Sequence, residues 1–500
     1  MFKVADSVTS FKDLVQWLLE KLAEDFCRQV ESVLAEMENQ RERDKSLKGW
    51  ESIGPRERTL VSLFGMEIRF RRRVYRQRRP DGTWAYRYPL DEMLGLLPEE
   101  RFCPLVQELA VELAARMSFR EAATVLQEHL KVPVSHQEVH RWLQEAGQER
   151  DRQFREEVQA VFERGQSPES EGRAADMVVI EADGMYIPLQ RERQRVAELK
   201  LAVMHEGWEA ESPAGGRFRL VNKAVWAGYM PAEAFWERGD IRFAQRYDPE
   251  KVGRVIVNGD GAEWIKEARQ HFANVELYLD PFHRNRAIQE ALGFAPDLAR
   301  RALNAVRSRD LKDLGRVLNE AVAAAPGEDQ VKRVKELRRY LKANWDGLLD
   351  WRGGPKPAPE GARGLGAAEA EINHVLAVRM TKKGMSWGTS GAHHMAQIRA
   401  LEAEGQLKHW LDGWQKRRWP EVKPVDRRHA PSRVIERLST TDPASWLAAR
   451  LPLLASAAGN SELGRRLKRL AQTVPTSELI SRGQPTPWRS PVVPKRQASA

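Results

Sequence analysis

Apolar residues recur every three or four positions between residues 10 and 48: Leu14, Val15, Leu18, Leu19, Leu22, Phe26, Val30, Val33, Leu34 and Met37. That spacing lines one face of an amphipathic helix, and residues 1–50 are expected to form a helix suited to oligomerisation. The period then changes. In MEIRFRRRVYRQRRP, Ile68, Phe70, Val74 and Tyr75 interleave with arginines at 69, 71, 72, 73, 76, 78 and 79, and PDG follows at 80–82. This predicts a basic β-rich segment over 51–100, with a turn at PDG. Residues 101–163 read as helices. Leu105, Leu109, Val111 and Leu113 begin one, and Ser118-Phe-Arg-Glu121 and Ser135-His-Gln-Glu138 are capping boxes that start two more. Two boxed starts across a short Pro-containing turn predict a helix-turn-helix. The polar stretch 164–176 reads as a linker. Five β-rich runs follow within 175–284, MVVIEADGMYIPL, ELKLAVMHEGW, FRLVNKAVWAGYM, RVIVNGDGAEWI and NVELYLDPFH, with a helix between the last two. Helical periodicity occupies 285–365 and resumes over 366–418. Residues 419–500 are rich in Pro and Arg and are expected to be partly disordered.

Composition narrows the class. At 500 residues, about three domains are expected. The chain is 42% hydrophobic and 30% charged, with a mean hydropathy of −0.59. No run approaches the roughly 18 apolar residues of a spanning helix, so a membrane protein is not expected, and neither is wholesale disorder. The N-terminus carries acids and lysines where a signal peptide needs an apolar run, which predicts a cytoplasmic protein. Cys27 and Cys103 supply neither a disulfide framework nor a four-thiolate zinc site. The net charge of +10 and the local arginine clusters point to nucleic acid as the polyanionic partner. On that reading Arg71, Arg72 and Arg73 contact the phosphate backbone of double-stranded DNA. His136, Gln137, His140 and Arg141, near the start of the third helix, face the major groove.

Two aspartates carry the candidate chemistry. Asp183 follows the apolar run MVVIEA and precedes Gly184; Asp260 follows RVIVNG and precedes Gly261. Each is expected at the end of a buried strand, beside a glycine that admits close approach. Two such carboxylates can share Mg²⁺ ions about 4 Å apart for an in-line phosphoryl displacement. That arrangement requires a third carboxylate.

The blocks EADGMYIPLQ (181–190), ELKLAVMHEGW (198–208), VNGDGAEWI (257–265), LDPFHRNRAI (279–288) and AAEAEINHVLAVRMTKKGMSWGTSGAHHMAQIRAL (367–401) occur in that order. In them the chain resembles the bacterial insertion-sequence transposases of the ISLre-two type, an uncharacterised-protein family related to the Mutator-like and hAT-like DDE transposases. The resemblance implies an α/β catalytic core of RNase H-like type, with a large all-helical insertion before the third acid. It places that acid five positions before His374-Val375-Leu376, at Glu369. Glu371 is the alternative, about 200° around a helix. A Gly-His pair of the family is replaced here by Ala370-Glu371. Two Mg²⁺ (or Mn²⁺) ions on Asp183, Asp260 and Glu369 are implied, with His283 of the Asp280-Pro-Phe-His283 block supporting the site. Trp387 is expected to stack on an unpaired base near the cut. The implied activity is cleavage of element ends and joining of the freed 3′-OH to target DNA, by a homodimer or higher oligomer associated with the nucleoid. The alternatives are an RNase H-like nuclease without strand transfer and a catalytically inert DNA-binding regulator.

Overall fold

The computed structural model describes residues 9–41, 47–212, 216–353, 356, 358–359 and 362–417. They form two compact units, one from the residues up to Cys103 together with 415–417, the other Pro104–Trp414. The expected C-terminal disorder falls outside the described residues. Among the described residues no helix is long and apolar enough to cross a membrane.

In the first unit, helix α1 (Phe11–Gln40) starts at Ser10, whose hydroxyl accepts the Asp13 N–H at 3.1 Å. Strands β1 (Glu51–Val61), β2 (Glu67–Arg78) and β3 (Trp84–Arg87) form an antiparallel sheet in that order. The PDG segment makes the β2–β3 turn, with Gly82 at φ +85°. Helix α2 (Pro89–Leu94) follows. Cys27 and Leu34 of α1 pack with Leu60, Ile68, Phe70 and Leu90. Since β3 pairs only from Tyr75 onward, the β2 edge at 69–73 is open on that side. Glu31 and Glu38 of α1 close it, accepting the Arg69 and Arg73 N–H groups at 2.7 and 2.9 Å.

The alternation of β2 corrects one expectation. Ile68, Phe70, Arg72 and Val74 point inward, while Arg69 and Arg71 point out. Arg72 is therefore buried, ion-paired with fully buried Asp91 and stacked over Tyr88, its guanidinium carbon 4.3 Å from the ring centre. Arg58 meets the same Asp91 at 2.5 Å. Arg72 holds this core together and faces no DNA. Arg73 is half-buried, and Arg71 is exposed as expected.

The second unit opens with α3 (Pro104–Arg116), α4 (Phe119–Leu130) and α5 (His136–Val158). Both capping boxes form, at Ser118/Glu121 and Ser135/Glu138. The expected linker is shorter than read, because β4 (Arg173–Ala175) pairs in parallel with a later strand, β10 (Tyr247–Val252). Between them run β5 (Val178–Pro188), β6 (Val196–His205), β7 (Trp208–Ala210), β8 (Phe218–Leu220), β9 (Ala224–Gly228) and α6 (Ala232–Arg246). After β10 come β11 (Val255–Gly259), α7 (Glu263–Lys266) and β12 (Val275–Leu279). The central sheet has the order β12-β11-β5-β6-β9. The first three strands in sequence, β5, β6 and β9, are antiparallel; β11 and β12 run parallel to β5. Val178, Ile180, Ala182 and Val257 bury one face against Phe235, Trp236 and Phe243. Met177, Val179 and Ile256 cover the other with Trp351.

Four helices, α8 (Pro281–Leu292), α9 (Pro296–Arg307), α10 (Leu311–Ala324) and α11 (Glu328–Ala343), then build their own apolar core, with Leu292, Val306, Leu318 and Leu341 at its centre. The helical stretch thus begins at Pro281, directly after β12. The chain returns through α12 (Ala367–Glu371), a π-helical stretch over 372–377, α13 (Val378–Met380), α14 (Thr389–Ala403) and α15 (Leu407–Asp412). Helices α5 and α14 approach so closely that a Cβ on Gly147 would sit 2.3 Å from the Cβ of His394.

Candidate functional site

The site is built on β5 and β11, which pair in register with Glu181 opposite Asn258. Asp260 follows the last residue of β11, as expected. Asp183 does not end its strand: β5 continues to Pro188, and Asp183 lies opposite Leu201 of β6. The glycines beside the aspartates serve packing. A Cβ on Gly184 would meet the Glu198 carboxylate at 2.4 Å, and Gly261, at φ +86°, leaves room for the Asn344 amide.

Asp183 is 8% exposed and is held by the Gly184 N–H at 2.7 Å. Burial, together with the negative charges of Asp260 and Asp280, pushes its carboxyl up to about 6 against the pull of His283. Asp260 accepts the Ala262 N–H at 2.8 Å, and its carbonyl takes the Tyr340 hydroxyl at 2.8 Å. Asp280 caps α8, accepting the His283 N–H at 3.3 Å and engaging His283 Nδ1 at 2.8 Å through the same oxygen. That contact, with the charges of Asp183 and Asp260, holds the imidazole above its ordinary range despite burial. The other oxygen of Asp280 is buried without a hydrogen-bond partner. Asp183, Asp260, Asp280 and His283 therefore share one electrostatic field, three carboxylates around one imidazole.

Glu369 and Glu371 lie on α12 and point apart. Glu371 is tied to Lys223 at 2.7 Å. Glu369 is exposed, and its charge acts on Arg286, one turn beyond His283 on α8. Among the described residues no group of three or more His, Cys, Asp or Glu side chains is set to hold a metal, so Asp183, Asp260 and Glu369 do not make a closed cage. The all-oxygen donors, the raised Asp183 carboxyl and the unsatisfied Asp280 oxygen nonetheless fit a hard divalent cation.

The residues expected to face a groove, His136, Gln137, His140 and Arg141, are all exposed at the start of α5. Arg141 also pairs with Glu145 at 2.8 Å, and His140 meets Phe119 edge-on. Trp387 corrects a further expectation. It is 6% exposed, donates to the Met380 carbonyl at 2.8 Å and packs edge-on against Phe119. No face is left for a base: the Arg379 guanidinium lies over the ring, 5.4 Å from its centre, and the backbone of Trp387 locks the β5–β6 hairpin to the helices through Gln190 N–H to Trp387 O (2.9 Å) and Trp387 N–H to Pro188 O (3.1 Å).

Three features escaped the sequence reading. Asp280 was seen only as part of a motif around His283. Glu181 stands in an apolar run two positions before Asp183, and an acid in such a run is itself a signal. The β5–β6 hairpin carries exposed Arg191, Arg193 and Arg195, visible in the sequence as RERQR.

The chain matches the uncharacterised protein family UPF0236 over residues 4–419. It is 25% identical over 412 residues to a UPF0236 protein of Caldanaerobacter subterraneus subsp. tengcongensis, covering 81% of this chain and 80% of that one. A second from the same organism is 26% identical over 402 residues, 80% of this chain and 79% of its own. The UPF0236 protein named for the vanSb 3′ region, from Streptococcus gallolyticus, is 24% identical over 414 residues, 81% of this chain and 85% of its own. The match takes in both compact units and every residue of the candidate site, and this chain belongs to UPF0236.

Proposed function

We propose that this protein is a DDE transposase of an insertion sequence, which cuts the element's ends and joins the freed 3′-OH to target DNA. One observation carries the reading: buried Asp183 and half-buried Asp260, from neighbouring in-register strands, share one electrostatic field with His283. The sheet supports it. Three antiparallel strands followed by two parallel ones, in spatial order 3-2-1-4-5, is the arrangement expected of an RNase H-like core. So does the α8–α11 insertion ahead of Glu369. The relatives add support: one is named with eleven locus labels and another with four, as repeated genomic copies of a mobile element would be.

In this reading Asp183, Asp260 and Glu369 hold the divalent ions, Mg²⁺ or Mn²⁺. When bound, such a pair activates the attacking oxygen and stabilises the leaving one. His283, its Nδ1 tied to Asp280, keeps Nε2 for a phosphate oxygen or a proton near Asp183. Water attacks the phosphodiester, the P–O3′ bond breaks, and the element's 3′-OH is released. That hydroxyl then attacks a target phosphodiester and displaces the target's 3′ oxygen. No covalent protein–DNA bond forms, so no serine or tyrosine nucleophile is required. The exposed start of α5 and the Arg191–Arg195 hairpin supply the DNA-facing surface. Synapsis of two ends calls for at least a homodimer. Its support is α1, where Phe11, Val15, Leu19, Leu22 and Phe26 are exposed along one face.

A strand-transfer assay tests the proposal, with labelled element ends and a target plasmid in Mg²⁺. Joined product is expected from the wild type and none from Asp183→Asn, which should still bind ends. Hydrolysis without joining would assign a nuclease. Binding without cleavage would assign a regulator.

A further inference from the structure

We propose that Glu181 is a positioning residue, clamping the helical segment that carries Glu369 onto the two strands that carry Asp183 and Asp260. The inference rests on the reading above and assigns a role to a residue outside the acid cluster. Glu181 is fully buried in β5. A buried carboxyl group is costly unless its oxygens are hydrogen-bonded, and they are bonded from three directions. One oxygen, Oε2, accepts the Gly366 N–H at 2.6 Å, the Ala367 N–H at 2.9 Å and the Asn258 side-chain amide at 3.0 Å. The other meets His205 Nε2 at 3.4 Å. His205 Nδ1 accepts the Gly207 N–H at 3.1 Å, so its ring hydrogen sits on Nε2 and points to Glu181.

The placement connects these bonds to the site. Glu181 lies two positions before Asp183 on β5, so the two share a strand face, and Asn258, paired with Glu181, lies two positions before Asp260, which directly follows β11. Gly366 and Ala367 are the turn into α12, where two orphan helix-start N–H groups need an acceptor. Glu369 follows two residues later. Gly366, at φ +138°, carries the chain past Asp280, with a Cβ there only 3.6 Å from the buried Asp280 oxygen. The helical segment after the insertion is thus fastened to the strands of both aspartates through one carboxylate. An apolar side chain at 181 would leave both N–H groups without a partner.

The test uses the full chain with Glu181→Gln and, because a buried amide can unsettle folding, the volume-matched Glu181→Met. The first readout is amide hydrogen exchange in EDTA. Exchange over 364–376 is expected to rise at least tenfold in Glu181→Met, which keeps no oxygen acceptor, and less in Glu181→Gln, whose carbonyl oxygen can still accept the two N–H groups, with β5 and β11 still protected. Asn258→Ala, which removes one donor and leaves the clamp, should keep 364–376 protected. The second readout is the Mn²⁺ concentration for half-maximal cleavage, expected to rise about tenfold while affinity for element ends in EDTA stays unchanged. Protection of 364–376 and Mn²⁺ dependence both as in the wild type would overturn the clamp. A wild type that cuts no DNA, alongside the expected exchange change, would instead sink the transposase reading and leave the clamp standing.

Discussion

Asp183 is buried at a cost to the fold. Its carboxyl is pushed up to about 6, from an ordinary value of 3.8, by burial and then by Asp260 and Asp280. Between those values the folded protein holds a proton that the unfolded chain has released, so stability is present below pH 4 and lost as pH rises through 6. In metal-free protein, Asp183→Asn should therefore raise the melting temperature at pH 8 and change it little at pH 4. The pH-dependent part of the gain should be on the order of 2 kcal/mol. Thermal melts in EDTA at both pH values check this, and an equal effect at both would place the strain elsewhere. Loss of activity with gain of stability marks a residue kept for its chemistry.

On the scale of the element, the two faces of β2 separate what the arginine-rich run does. Arg72 and Arg58 share Asp91 inside the first unit, while Arg71 stands in solvent. Asp91→Ala leaves two buried guanidinium groups without their carboxylate and should cost about 3–5 kcal/mol in denaturant unfolding. Arg71→Ala should shift stability by less than about 0.5 kcal/mol. The period-two alternation of Ile68, Phe70 and Val74 already placed position 72 inward, so the sequence held this distinction. The five central strands were legible for a related reason: those buried on both faces read as unbroken Val/Ile/Ala runs. The end of β5 was not, because DGMYIP reads as a turn while its backbone goes on pairing with β6. Strand β4 was hidden too, since three residues held by one neighbour need no apolar pattern. The acid pair was visible as two Asp-Gly steps. Its third partner on that face, Asp280, was obscured by proline and an aromatic, and its contribution comes from the fold bringing β12 beside β11.

At the scale of the second unit, α5 and the central sheet meet through Trp387 and Phe119. Trp387 is hydrogen-bonded to the β5–β6 hairpin, and Phe119 touches both Trp387 and His140. Arg191, Arg193 and Arg195 are thereby joined, through Trp387 and Phe119, to the exposed start of α5. Replacing the three arginines by alanine should weaken end binding and lower the slope of log K against log salt by about 0.9 for each phosphate that the hairpin no longer neutralises. Filter binding between 50 and 200 mM salt, about the range over which such neutralisation is felt, measures it. An unchanged slope would make the hairpin a solvated tip. Gln137→Ala, by contrast, should reduce preference among end sequences and leave the slope alone.

The closeness of α5 to α14 rests on the missing side chain at Gly147. A single methyl there would wedge the two helices against the His394 backbone and side chain. Gly147→Ala is thus a handle for loosening the docking of α5 on α14 without touching any charged residue or either aspartate, and on the proposed function it would show whether the two halves of the unit are mechanically geared.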